Sequence, residues 1–499
     1  MLKKILIPLT TLMFLFACQQ GGADPGEIIE EQKNDPKATK LQCNEVMYFA
    51  GEYDELEWIE IELVQGEDIK DMAEKLMRLE KAVEFQFPAE PLKVNEKIVV
   101  TNDTNAFRAR YPVADYPVRL FGPFEGRLDN AGELVDIKIS GKGDASCQFS
   151  PEPPWPTLAA GYGHSLIYID GDESRPESYG ASVAQGGYPG LEKQVVESIG
   201  VLVNEIMPSG TATNPGWVEI YNPTKNSIDI SGWELTESIN VSGFNLPANT
   251  IVEAEGFLVI EEADWADNFY PPPNGGEVVL KQIVNGDWTG VTTGLSYPAL
   301  AENQTAGVIE LSDGNLSRSI LKTATKGKAN SEVFAGPIRI SEFHYNPPEA
   351  YAEYMELVNA SEEDVVLTNP WRIKGIAFTF DAADNYVVPP QGKLLMFRLD
   401  QAGSEENFRN MYNIPEDIIC IPYEGRLSNR GELITLIMPI THAGGGIGLS
   451  WSDVVNYSDR GFWPGEADGY GKALKRVDLH ASGEDSKNWV AADPAPAQK

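Results

Sequence analysis

The chain has 499 residues, of which 75 are acidic and 39 are basic, and its formal net charge is −36. A charge of this sign and size repels phosphate backbones, so nucleic acid is not an expected partner. The length is sufficient for several domains of about 100–200 residues each. The four cysteines contain no C-x-x-C pair and the four histidines are scattered, so a zinc site built from them is not expected.

The chain begins with a short apolar segment that is typical of an export signal. Two lysines precede an apolar run over residues 5–16, which is too short to cross a bilayer comfortably. The run ends in Leu-Phe-Ala-Cys at residues 15–18, which resembles the lipobox of bacterial lipoproteins. That resemblance implies that residues 1–17 are removed as a signal peptide and that Cys18 carries a diacylglycerol lipid.

A lipid on Cys18 would anchor the protein to a membrane of the cell envelope. Gln19 and Gln20 follow without an aspartate, which resembles the pattern for sorting to the outer membrane and leaves the leaflet open. Residues 18–40 are rich in glycine, proline and charge, and they predict a flexible tether between the lipid and the folded body.

Three stretches of the chain share one pattern. They begin at Cys43, Val203 and Ile340, and each contains a glutamate, a loop, an aromatic residue and a second glutamate. Apolar and polar residues alternate with the period of half-buried strands, and turn residues are frequent, which predicts an all-β fold of tandem β-sandwiches. The predicted domains, which we call the first, second and third repeats, span residues 41–190, 200–335 and 336–494.

One segment of the first repeat is ambiguous. Residues 67–85 place apolar side chains at a helical spacing, and most of these residues are good helix formers. Alignment with the second repeat puts strands at the same place. The sequence therefore leaves strand or short helix open in this segment.

The second repeat carries the most recognisable pattern. Asn204 and Glu205 lie in its first predicted strand, Trp217 and Glu219 lie in its second, and a Ser-Gly-Trp triplet ends at Trp233. This arrangement resembles the lamin-tail domain, an immunoglobulin-like β-sandwich that also occurs in bacterial surface proteins. The first and third repeats resemble it less closely. The resemblance implies interaction or recruitment and supplies no catalytic residue.

The first and third repeats share a nearly identical stretch, at residues 123–137 and 422–436. Each contains an Asn-x-Gly-Glu sequence between apolar residues. Asparagine and glycine tolerate positive φ, so both stretches predict a tight hairpin turn. The arginine and the glutamate of each stretch could pair across that turn.

A pair of glutamates recurs in every repeat, namely Glu45 with Glu60, Glu205 with Glu219, and Glu342 with Glu356. Three interpretations are open. The carboxylates could anchor a loop by accepting backbone N–H bonds, they could bind calcium together with loop carbonyls, or they could act as a glycoside-hydrolysing pair. Recurrence in all three copies favours the anchoring role. No catalytic residue is assigned, and calcium is the only cofactor under consideration.

Cysteines and tryptophans add two further expectations. Cys43 and Cys147 lie near the two ends of the first repeat, where terminal strands of a sandwich are often neighbours, so they could form a disulfide. Cys420 is expected to be a buried, small apolar residue. Tryptophans at matched positions are expected in the core or on an exposed stacking platform. These are Trp155, Trp217, Trp233, Trp371 and Trp463.

The sequence thus predicts a lipid-anchored envelope protein whose tandem sandwiches bind or scaffold a protein or glycan ligand that it does not identify. Two alternatives stay open. One is an extracellular polysaccharide hydrolase or hydrolase accessory, and the other is a passive surface spacer.

Overall fold

The computed structural model describes residues 39–49, 56–130, 132–140, 145–151, 155–171, 173, 175–196, 200–208, 215–265, 268–429, 431–459 and 462–497. The predicted signal peptide, Cys18 and nearly all of the predicted tether lie outside these residues. The described part of the chain is built mainly of strands in several sheets, which confirms the all-β, immunoglobulin-like class. No helix in that part has the length and apolar content that a membrane span requires.

The first repeat forms a six-stranded sheet, ordered β11-β10-β1-β2-β5-β6, that faces a five-stranded sheet, ordered β7-β4-β3-β8-β9. The strands are β1 (Lys40–Met47), β2 (Trp58–Gln65), β3 (Arg78–Lys81), β4 (Val83–Gln86), β5 (Lys97–Thr101), β6 (Arg119–Phe121), β7 (Glu125–Gly126), β8 (Glu133–Lys138), β9 (Ala145–Phe149), β10 (His164–Tyr168) and β11 (Tyr179–Gln185). Apolar side chains from both sheets meet in one buried core.

The second repeat has a five-stranded sheet, β18-β13-β12-β21-β22, a four-stranded sheet, β16-β15-β19-β20, and the short pair β14-β17. Its strands are β12 (Leu202–Met207), β13 (Trp217–Tyr221), β14 (Ile228–Asp229), β15 (Glu234–Thr236), β16 (Phe244–Asn245), β17 (Ile251–Val252), β18 (Phe257–Glu261), β19 (Gly275–Val284), β20 (Asp287–Pro298), β21 (Ala306–Glu310) and β22 (Leu316–Ile320). A separate apolar core lies between these sheets.

The third repeat has a six-stranded sheet, β30-β29-β24-β23-β33-β34, a four-stranded sheet, β27-β26-β31-β32, and the pair β25-β28. Its strands are β23 (Ile338–His344), β24 (Tyr354–Asn359), β25 (Val365–Leu367), β26 (Arg372–Lys374), β27 (Phe378–Thr379), β28 (Tyr386–Val388), β29 (Lys393–Arg398), β30 (Ile419–Tyr423), β31 (Gly431–Thr441), β32 (Ile447–Ser458), β33 (Ala473–Arg476) and β34 (Trp489–Ala492). It too has its own core.

Short helices cover the outer face of the large sheet in the first and third repeats. These helices, which the sequence did not predict, are α1 (Thr104–Arg110), α2 (Leu399–Ala402) and α3 (Glu405–Tyr412). Asp103 caps α1 and Ser404 caps α3 by accepting backbone N–H bonds. With at most eight residues each, the helices are too short to show a clear helical period. Five 3₁₀ turns complete the helical structure of the described residues, at Thr157–Ala159, Pro176–Ser178, Glu262–Asp264, Gly465–Ala467 and Ser486–Asn488.

The ambiguous segment 67–85 contains no α-helix. Its first half is a chain of turns in which Asp71 accepts the N–H groups of Ala73 and Glu74, and its second half forms β3 and β4. Four of the apolar side chains with helical spacing, Ile69, Met72, Leu79 and Val83, are buried in the core from turns and strands, whereas Leu76 is half exposed at positive φ. Tertiary burial therefore overrides helix propensity here.

A β-bulge interrupts the same pair of strands in every repeat. The register between the first two strands shifts by one residue at Asn44, at Asn204 and at Ser341. A bulge places two residues of one strand opposite a single residue of its partner and redirects the side chains that follow. The residue after each bulge is the first glutamate of the recurring pair.

Cys43 in β1 and Cys147 in β9 form a disulfide that joins the two sheets of the first repeat. Their Cα atoms lie 5.7 Å apart and the cysteines are 104 positions apart in sequence. A link across so long a loop restricts the unfolded chain strongly. Cys420 in β30 is half-buried and its thiol is free.

We expect the double variant Cys43→Ala/Cys147→Ala to lose about 2–5 kcal/mol of stability in the first repeat, because the unfolded chain regains the entropy of an open loop. Hydrogen exchange of the β1 amides measures this loss locally. Cys420→Ala is the matched control and should leave β1 exchange unchanged. Equal protection of β1 in the double variant and the wild type would contradict the expectation.

Candidate functional site

The two glutamates of each recurring pair face each other across the first two strands of the large sheet. Cross-strand partners are Glu45 and Glu60, Glu205 and Glu219, and Glu342 and Glu356. All six side chains are at most 2% exposed. Each pair is therefore a concentration of potential negative charge that the fold has removed from water, which is unfavourable unless donors satisfy it.

The donors come from a segment that ends each repeat, which we call the closing segment. In every repeat one backbone N–H bonds to the first glutamate and the N–H two positions later bonds to the second. The donor residues are Tyr188 and Gly190 in the first repeat, Thr325 and Gly327 in the second, and Ala495 and Ala497 in the third. N···O distances include 2.7 Å at Tyr188, 3.0 Å at Thr325 and 2.9 Å at Ala495.

Lysines neutralise the pairs in the first and third repeats. The Lys193 ammonium lies between Glu45 and Glu60, at 2.8 Å from the nearer oxygen of Glu60. In the third repeat the Lys393 ammonium lies 2.9 Å from Glu356. Burial nevertheless raises the pKa of Glu60, against the opposing effect of Lys193.

Neutral donors hold the pair of the second repeat. The Asn204 amide donates to Glu219 at 2.8 Å, and the Thr325 hydroxyl donates to Glu205 at 2.6 Å. Burial raises the pKa of Glu219 to about 7, although the bonds from Asn204 and Gly327 favour its charged form. Burial also raises the pKa of Glu205.

A third buried carboxylate appears in the first and third repeats, and sequence reasoning missed it. Glu57 accepts the backbone N–H of Leu128 at 2.8 Å, and Glu353 accepts that of Leu427 at 2.6 Å. Burial raises the pKa of each to about 7. Both leucines belong to the two nearly identical stretches. The second repeat has Gly216 at the position of Glu57 and Glu353, and it lacks the similar stretch. The glutamate and the stretch therefore occur together in the first and third repeats, and this co-occurrence in the sequence could have predicted that they are in contact.

The two similar stretches form tight turns but not the predicted hairpins, because β7 does not pair with β8, and β30 and β31 belong to different sheets. Glycine φ angles are +96° at Gly132 and +113° at Gly431, and an added Cβ would lie within 3 Å of backbone atoms at both. The glutamates of the stretches fold back onto their own turns, where Glu432 accepts the N–H of Ser428 at 2.5 Å. Arg127 forms an ion pair with Glu57 at 3.1 Å. Each stretch is therefore held against a buried carboxylate, Glu57 or Glu353, that directly precedes the second strand of its repeat.

The six calcium candidates are surrounded by donors of the chain itself. Across the part of the chain that the structure describes, no group of three or more His, Cys, Asp or Glu side chains is placed to hold a metal ion. Calcium at a pair would have to displace the closing segment. In the state described here, the same burial separates the carboxylates from any polysaccharide in solution.

The matched tryptophans are all buried. Their exposed fractions are 8% for Trp155, 2% for Trp217, 6% for Trp233, 5% for Trp371 and 7% for Trp463. Side chains this inaccessible pack against the cores and present no stacking platform.

The raised pKa of Glu219 predicts an unusual pH dependence of stability. Because this pKa is about 7 in the folded chain and 4.5 ordinarily, the folded state holds the proton more tightly between these values. The stabilisation is complete below pH 4.5 and is lost as the pH rises through about 7. We expect Glu219→Gln to become more stable relative to the wild type as the pH rises from 5 to 8.

Denaturant unfolding at a series of pH values, followed by hydrogen exchange within β13, measures this difference. Glu302→Gln removes an exposed carboxylate of the same repeat and serves as the matched control. A stability difference between Glu219→Gln and the wild type that is constant from pH 5 to 8 would show that the buried carboxyl does not titrate in this range.

Comparison with known proteins identifies one family in the chain. No curated protein and no solved structure was found to match it. The Glu205–Glu219 pair and its bulge fall within residues 197–320, while the closing donors Thr325 and Gly327 follow directly after. Residues 197–320 match the family model of the Lamin Tail Domain, which confirms the resemblance for the second repeat.

Proposed function

We propose that this chain is a lipid-anchored protein of the cell envelope that binds or scaffolds other envelope components through the surfaces of its β-sandwiches. One observation carries the proposal. The acidic pairs that recur in all three repeats are buried and hydrogen-bonded to the closing segments, so these carboxylates serve the fold itself. Recognition is then left to exposed surfaces and to clefts between repeats.

The proposal extends the lamin-tail resemblance from the second repeat to all three. Its support is the shared construction of the repeats. Each has the bulge, the facing glutamates and two closing N–H donors spaced two residues apart. Contacts between repeats favour a scaffold with fixed relative positions, since the buried Arg175 of the first repeat donates to the Glu484 carbonyl of the third at 3.3 Å.

Capture of a partner tests the binding role. The mature chain, purified in mild detergent and immobilised, is exposed to envelope extract and to a glycan array, with calcium or with chelator. We expect one saturable partner that is retained equally in both conditions, because the candidate calcium ligands already hold closing segments. Calcium-dependent capture would reassign the glutamate pairs to ligand binding.

Two other outcomes would contradict the proposal. Polysaccharide cleavage that is abolished in Glu342→Gln and in Glu356→Gln would favour a hydrolase. Absence of any partner, together with an unchanged phenotype after systematic surface substitution, would favour a passive spacer.

Lipidation at Cys18 is tested separately. We expect Cys18→Ser to move from the membrane pellet to the soluble fraction and to lose incorporation of labelled fatty acid, because no acyl chain then enters the bilayer. Cys420→Ser, which changes another thiol, should stay in the membrane fraction. Sedimentation of Cys18→Ser with membranes to the wild-type extent would show that the anchor lies elsewhere.

A further inference from the structure

A cleft of about 420 Å³ lies where the second and third repeats meet. Strands β19 and β20 line one side, and β26, β31 and β32 line the other. A backbone bond of 3.0 Å from Ala299 N–H to the Leu449 carbonyl joins the two repeats beside it. Sites for small ligands commonly have volumes of about 300–1,000 Å³ and lie at domain interfaces.

The two walls of this cleft carry opposite charges. Arg372 and Lys374 lie on the wall from the third repeat, and Glu237 and Glu277 lie on the wall from the second. The Nε atom of Arg372 is buried and has no hydrogen-bond partner among the described residues. Because Nε is shielded from solvent, a ligand acceptor would bond to the terminal nitrogens of this guanidinium, for which no bond within the described residues is seen.

Arg372 differs from Arg339, another arginine of the third repeat, in its lack of an ion pair, whereas the Nε atoms of both are buried without a hydrogen-bond partner among the described residues. Arg339 forms an ion pair with Asp453 at 3.1 Å. Neither Arg372 nor Lys374 forms an ion pair within the described part of the chain. In a chain with net charge −36, two such cations on one wall form a local site for an anion. The planar guanidinium fits a carboxylate better than a spherical ion, because it can donate two parallel bonds.

The remaining lining fits a hydroxyl-rich ring. Trp451 is partly exposed and lines the cleft beside Tyr297 and Leu449, and the Arg318 guanidinium lies over its ring at 5.9 Å from the ring centre. Glutamate oxygens on the facing wall accept hydrogen bonds from hydroxyl donors. A simple anion would be repelled by that wall, whereas a sugar acid places its carboxylate on the basic side and its hydroxyls on the acidic side.

We propose that this cleft binds a carboxylated sugar, such as a uronic acid unit within an oligosaccharide. The inference rests on the proposed binding function and names the ligand class for it. The carboxylate pairs with Arg372 and Lys374, the ring lies against Trp451, and hydroxyl groups donate to Glu237 or Glu277.

Calorimetric titration of the full chain tests this assignment. The probes are trigalacturonate, the neutral galactose trimer of the same linkage, and an acidic tripeptide of equal charge. We expect saturable binding of trigalacturonate that is at least about tenfold tighter than binding of the neutral trimer, since charge-assisted bonds are lost with the carboxylates. Equal affinity for both sugars, or preference for the tripeptide, would overturn the assignment.

Variants locate the binding in the cleft. Arg372→Gln should weaken trigalacturonate binding at least about tenfold, and Lys374→Gln should weaken it about threefold or more. Lys374 is exposed, so its substitution leaves the fold intact even if Arg372→Gln unfolds locally. Lys225→Gln removes an exposed positive charge from the second repeat outside the cleft and should bind like the wild type. Equal weakening by all three variants would overturn the proposal.

Failure of this inference is distinguishable from failure of the proposed function. If trigalacturonate does not bind, but envelope extract yields a saturable partner whose capture is unchanged in Lys374→Gln, the cleft assignment is wrong and the binding role stands. If neither the sugar nor any envelope component binds, both are contradicted.

Discussion

The architecture depends on pairs of buried carboxylates that accept hydrogen bonds from the chain itself. In each repeat a bulge turns one glutamate toward another on the neighbouring strand, inside a sheet that excludes water. Two buried carboxylates side by side would be strongly unfavourable alone, because each loses hydration and repels the other. The closing segment reduces this cost with two backbone donors, so the repeat is completed and the pair receives its hydrogen bonds by the same contact.

The three repeats use different side chains to stabilise the same buried pair of carboxylates. Lys193 lies between the pair in the first repeat, Lys393 contacts the pair of the third, and the second repeat relies on Asn204 and Thr325. What stays constant is the backbone, since N–H groups two positions apart always reach the two carboxylates. Backbone donors do not depend on residue type, which is why Tyr-Pro-Gly, Thr-Lys-Gly and Ala-Pro-Ala can occupy equivalent places.

Much of this construction was readable from the sequence. The alternation of apolar and polar residues predicted the strands, and Asn-x-Gly predicted the turns. The recurring glutamates indicated loop anchoring as one of three possible roles. The helix α3 and the carboxylate Glu353 were missed. A helix of eight residues has too few turns to display a period, and a single glutamate before an aromatic residue has no local feature that distinguishes burial from exposure. The predicted third repeat ended at residue 494 and therefore omitted the donors Ala495 and Ala497. Their backbone N–H groups carry no side-chain feature from which a hydrogen bond could be predicted.

The position of the closing segments gives the chain a mechanical property. Residues 188–190 and 325–327 close one repeat and precede the first strand of the next, which begins at Leu202 and at Ile338. Tension along the chain is therefore transmitted through these hydrogen bonds before it reaches the cores. A repeat that opened at its closing segment would expose its acidic pair to water.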